Sequence, residues 1–281
     1  MAFAGDCEGV RPQDMSFTGM TCVSERAYAI PDLAQVIYRR ILSLFPRFVL
    51  MANTFLSFNN AMGCNGCQIP GFAEESGESM AALREPMKLK SDWALWEQVA
   101  SGGYATKKVC TFQTAQEFWS IWNGIPQPSE LLDGKRLMRE QPSGERVAVE
   151  ALMLFRDGIA PEWEDKANAM GGHFQIQLKP ASGGGQIDEY WNNLVLAMIG
   201  ETLEPSSQVT GARLVDKLSG KGKVTDVIRL ELWYNSSSTN EDVAALKRSM
   251  EKCLMTRLDD SLGAALRGDA LQDKKHSGIG K

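Results

Sequence analysis

Trp163 and Glu164 stand side by side in residues 155–174, which read FRDGIAPEWEDKANAMGGHF. Gly158, Pro161, Gly171 and Gly172 mark the stretch as loop rather than helix. An indole offers a flat π surface for a nucleobase. A carboxylate beside it can accept two hydrogen bonds from a base edge that presents an N–H and an amino group, as guanine does. Adenine has no such pair of donors, so Glu164 is the group expected to set base choice.

Such a loop needs strands to hold it. Residues 93–99, 108–112, 146–155, 173–179, 212–218 and 225–234 read as short β-runs, several alternating apolar with polar, as at Phe174, Ile176, Leu178 and at Ile228, Leu230, Leu232. That period suits a sheet with one buried face. Three helices interrupt the runs. The first, 114–125, opens with a Thr114-x-x-Glu117 capping-box spacing. The second, 187–201, stops after Gly200; the third, 240–258, lines up Val243, Leu246, Met250, Cys253 and Leu254. The expected fold class is α+β: an antiparallel sheet with the helices on one face and the other face open to a ligand.

On the first helix Phe118, Ile121, Trp122 and Ile125 form one stripe, and Trp119 lies about 100° from Phe118. On the second, Asn192 and Leu196 form an i, i+4 pair off the Ile187, Trp191, Leu194, Val195, Met198 stripe. Residues 1–84 read as a largely unstructured extension with one amphipathic segment around 33–44, residues 85–265 as the folded domain and 266–281 as a tail. Met51 offers an alternative start.

Composition excludes several function classes. A chain of 281 residues with 43% hydrophobic content can build a real core, and its net charge of −5 argues against a general nucleic-acid coat. Six cysteines do not make a disulfide framework at this length. Cys64-Asn65-Gly66-Cys67 has no second pair to complete a zinc site, so reduced thiols and no metal are expected. No unbroken apolar stretch reaches the roughly 18 residues of a membrane span, and the polar start is not a signal peptide. His173 and His276 have no nucleophile or carboxylate at a recognisable spacing, and Ser182-Gly183-Gly184-Gly185 lacks the lysine and hydroxyl of a phosphate loop. A cytoplasmic protein without catalytic residues or cofactor is the expectation.

Trp93-Ala94-Leu95-Trp96, Phe118-Trp119-Ser120-Ile121-Trp122-Asn123, Phe155-Arg156-Asp157-Gly158-Ile159, residues 161–165, Asn168, Gly171-Gly172, residues 191–201 and Trp233 come in a familiar order. In these motifs, spread over 93–258, the chain resembles the translation initiation factor 4E family, which binds the 7-methylguanosine cap of messenger RNA. The resemblance implies a curved antiparallel sheet with about three helices on its convex face and the cap in its concave face. N7-methylguanine carries a positive charge, so stacking on aromatic rings favours it over the plain base.

The resemblance also implies roles. Trp163 would be the second stacking ring and Tyr104, in the shortened loop Ser101-Gly102-Gly103-Tyr104, the first, where the family usually has tryptophan. Glu164 would clamp the base edge and Trp233 touch the N7 methyl. Lys217 and Arg229 match basic positions for the phosphates, with Lys221 or Lys223 as a further loop cation. His173, mostly neutral at pH 7, stands where arginine is frequent. Trp119 would receive an amphipathic helix from a scaffold of the factor 4G type or a 4E-binding protein. Ala115 and Asn192 replace larger apolar residues beside Leu196, so a shallower groove and a modified partner are expected. The partners implied are capped messenger RNA and that scaffold, with a monomeric core and no membrane. A cap-binding repressor, or an interaction module that has lost cap affinity, stays open as an alternative, the latter suggested by Tyr104, His173 and Asn192.

Overall fold

The alternating runs form strands. A computed structural model describes residues 20–22, 86–100, 105–133, 136–141, 143–218, 226–257 and 261–276. Tyr104, Lys221, Lys223, Met51, the Cys64 to Cys67 motif and the 33–44 segment lie outside the described residues. The strands are β1 (Met20–Cys22), β2 (Lys88–Val99), β3 (Thr106–Thr114), β4 (Leu137–Glu140), β5 (Arg146–Arg156), β6 (Gly172–Leu178), β7 (Val209–Asp216), β8 (Ile228–Tyr234) and β9 (Gln272–Lys275). The helices are α1 (Ala115–Trp122), α2 (Gly184–Ile199) and α3 (Asn240–Met255).

All pairings are antiparallel, in the order β3-β2-β5-β7-β8-β6-β9, with β4 continuing the β2 edge of β5 and β1 pairing β4. The sheet is curved and open. Register decides what faces the helices. Trp93 and Leu95 of β2, Leu152 and Leu154 of β5, Phe174 and Ile176 of β6 and Leu230 and Leu232 of β8 join one large core with all three helices. Each such side chain contributes about 1.5–3 kcal/mol on burial, so this face carries most of the stability. The opposite face holds a smaller cluster of Ala151, Met153, Phe155, Val215 and Trp233.

The Thr114 and Glu117 capping box forms as read, and Thr239 and Asp242 repeat it at the start of α3. The five residues read as the α3 stripe are all buried. Two stretches depart from the reading. Met20–Cys22 forms a strand inside the expected extension, and the expected tail supplies β9, which pairs with β6 from Gly172↔Lys275 to Gln175↔Gln272. Among the described residues no helix is long and apolar enough to cross a membrane.

Candidate functional site

The loop between β5 and β6 is framed by its own polar residues. Gly158, at φ 85°, turns the chain out of β5 in a conformation that other residues rarely adopt. Asp165 accepts from the backbone N–H groups of Ala160 (2.9 Å) and Ala167 (2.8 Å). Asn168, fully buried, donates to the carbonyls of Ala160 (2.9 Å) and Glu162 (3.1 Å). The Glu162 carboxylate accepts from the Thr106 hydroxyl at 2.8 Å. Both acids flanking the Trp163-Glu164 pair are therefore engaged. Trp163 is 55% exposed, and Glu164 is exposed with no hydrogen bond or ion pair among the described residues.

Trp233 departs from the role the resemblance implied. It is fully buried, so in this arrangement it offers no surface to a ligand. The cause lies in its neighbours. Its ring lies 5.5 Å from His173 at 17°, 4.5 Å from His276 at 57° and 5.4 Å from Phe155 at 77°, and the Arg213 guanidinium sits 5.6 Å from its centroid. Its N–H donates to Glu231 at 2.9 Å.

His276 was absent from the sequence reading of the site. It follows β9 directly, its backbone N–H donating to the Gly171 carbonyl at 3.0 Å. Nδ1 lies 2.8 Å from the Asn168 carbonyl, which can only accept, so Nδ1 carries the proton. Nε2 is then the acceptor, and His173 Nδ1–H donates to it at 2.9 Å. One ring must supply an unprotonated nitrogen to this bond, so the two cannot both be charged. Burial agrees: it pushes His173 down to about 4 and His276 below the ordinary histidine value. His173 is 9% exposed and packs against the rings of Trp233 and His276.

Of the rim cations, Lys217 is exposed beyond the end of β7 with no side-chain partner among the described residues. Arg229 is committed inward. Its Nε lies 2.7 Å from Glu231 Oε1, while Arg213 reaches Glu231 Oε2 at 3.4 Å and Gln98 at 3.1 Å. Burial raises the Glu231 carboxyl, but the two arginines outweigh it and hold it below its ordinary value. One carboxylate thus offsets two cations on this face, a feature the sequence reading missed because Glu231 sits at an ordinary polar position of an alternating strand.

The expected partner groove also changes. Trp119 is partly exposed and packs edge-on against Phe118 at 4.9 Å. Ala115 and Asn192 are buried and cannot line a surface. Asn192 accepts from the Trp122 indole N–H and donates to Gln127 and to the Asp188 carbonyl. A 3-10 turn, Pro128–Asp133, covers this part of α2, tied down by Ser129 N–H and hydroxyl bonds to Asp188 at 2.7 and 2.6 Å. Leu196, 8% exposed, instead borders a cavity of about 440 Å³ between α2 and α3, with Leu203, Arg248 and Cys253.

Comparison with known proteins accords with this architecture. The chain is 37% identical over 161 residues to eukaryotic translation initiation factor 4E of Saccharomyces cerevisiae, covering 55% of this chain and 63% of that protein. It is 27% identical over 212 residues to eukaryotic translation initiation factor 4E-1 of Citrullus lanatus, covering 73% and 78%. Among solved structures, Ascaris suum eIF4E-3 with m7G cap superposes with a TM-score of 0.51 at 22% identity, covering 70% of this chain and 96% of that one. C. elegans eIF4E-3 in complex with the 4E-binding protein Mextli and cap analog gives 0.50 at 20% identity, covering 68% and 94%. The family profile described as Eukaryotic initiation factor 4E matches residues 88–279, more than half of the sequence, and the chain belongs to that family.

Proposed function

We propose that this chain binds the 7-methylguanosine cap of messenger RNA and brings the bound messenger to a scaffold or 4E-binding protein for translation initiation in the cytoplasm, acting by binding rather than by catalysis. One observation carries the reading. In a loop where Asp165 is taken up by the loop's own backbone and Glu162 by Thr106 of β3, Trp163 and Glu164 are left presented to solvent, one as a stacking surface and the other as an acceptor with no partner among the described residues. The base stacks on Trp163 while Glu164 accepts from N1–H and N2–H. Tyr104 is the proposed first ring, facing Trp163 across the base. Lys217 is the principal phosphate cation, with Arg229 and the 221–223 lysines in support. Trp119 is the proposed contact for the partner. The burial of Trp233 favours a second reading, an interaction module without cap affinity.

Tryptophan fluorescence titration of the full chain separates the two. Saturable quenching by 7-methyl-GDP, with GDP binding about ten-fold or more weaker, is expected from cation–π stacking. Equal binding of both nucleotides, or of neither, overturns the cap-binding reading. Pull-down of scaffold proteins on cap resin, lost in Trp119→Ala while the cap is still bound, tests the partner surface.

A further inference from the structure

We infer that His276 is a specificity-determining residue of the ligand face: its imidazole covers the side of Trp233 nearest Trp163, and so controls whether an N7-alkyl group on a stacked guanine reaches Trp233. The inference rests on the cap-binding reading above and deepens it. His276 neighbours both indoles, at 6.1 Å and 23° from Trp163 and at 4.5 Å from Trp233, yet one indole is 55% exposed and the other fully buried. The His276 ring, itself only 8% exposed, therefore stands between Trp233 and a substituent carried on a base stacked at Trp163.

The cover is built rather than incidental. Three bonds hold His276, to the Gly171 carbonyl, the Asn168 carbonyl and His173, and the first two acceptors belong to the loop that presents Trp163. Asn168 in turn bonds the Glu162 carbonyl just before Trp163. The position of the cover is thus tied to the position of the stacking ring. Trp233 does not depend on a ligand to satisfy it, because Glu231 takes its N–H and Arg213 supplies a cation to its ring.

His276→Ala removes the imidazole at a position just past an edge strand, leaving the backbone bond to Gly171 in place. Titrations of wild type and variant with 7-methyl-GDP and GDP are compared as the GDP dissociation constant divided by that of 7-methyl-GDP. That ratio should rise about five-fold in the variant, the scale of one cation–π interaction that only the methylated base can make. Acrylamide quenching without nucleotide should show a larger accessible indole fraction in His276→Ala, in a Trp163→Phe background. Methyl-selective binding with an unchanged ratio, or unchanged acrylamide access, overturns the inference and leaves the cap-binding reading standing. Absence of binding by both proteins to both nucleotides overturns both.

Discussion

The Trp122 indole N–H donates to Asn192 Oδ1 at 2.9 Å, joining α1 to α2 beneath the 3-10 turn. Asn192 also donates to Gln127 Oε1 at 2.7 Å, so its whole carboxamide is spent inside the protein. Asn192→Leu should cost about 1–3 kcal/mol, the penalty for leaving buried donors and acceptors unpaired. Urea unfolding measures this, and nucleotide affinity should not change. A variant of wild-type stability with altered scaffold binding would instead place Asn192 at the partner surface.

Glu164→Ala should leave stability within about 0.5 kcal/mol, since the side chain is exposed and unpaired among the described residues. Affinity for 7-methyl-GDP should fall by about 10–100-fold through loss of two hydrogen bonds to an ionised acceptor. The preference for guanine over adenine nucleotides should collapse with it. Competition titration with both bases reads the two effects.

Lys217 and Arg229 should separate. Lys217→Ala removes an exposed cation that has no side-chain partner among the described residues, weakening nucleotide binding and flattening its salt dependence with little effect on folding. Arg229→Ala breaks a contact to Glu231, which is 1% exposed, and should cost about 1–3 kcal/mol of stability while changing the salt dependence less. Titrations across a salt series, paired with denaturation of each variant, distinguish them.

Two buried groups oppose each other in acid. The native state holds the pKa of His173 near 4 against 6.5 when unfolded, so as pH falls through that window the unfolded chain takes up a proton that the folded chain refuses, and stability drops. Burial, partly offset by the Ser129 bonds, raises Asp188 to about 6 from 3.8; there the folded chain holds the extra proton, and stability rises as pH falls. Between about pH 4 and 6 the two slopes nearly cancel, leaving His276 to tilt the profile downward toward acid. Asp188→Asn should unmask a loss of about 1.4 kcal/mol per pH unit in that window. Denaturation midpoints at a series of pH values show whether the slope emerges.

What the sequence made legible was local. The alternation in β6 and β8 records a sheet buried on one face, the Thr114 to Glu117 spacing records a capped helix start, and polar neighbours around Trp163 record a ring kept outside. Contacts between distant segments were not legible. His276 meets His173 across 103 positions, and no spacing rule spans that distance. A helical wheel placed Asn192 outside because it cannot show that Pro128–Asp133 returns to cover α2. Strand alternation likewise marked Glu231 only as polar, when its face is closed over by Arg213, Arg229 and Trp233.

The last strand, β9, consists of Gln272, Asp273, Lys274 and Lys275, all exposed, laid along β6, whose own residues are almost all buried. Without it, the amide and carbonyl rows of Gly172 to Gln175 would form a bare margin beside Phe174, open to zipping onto a second chain. Its two lysines and one aspartate make a poor template for further strand addition, so chains cut before Gln272 should self-associate and precipitate at concentrations where the intact protein remains dispersed.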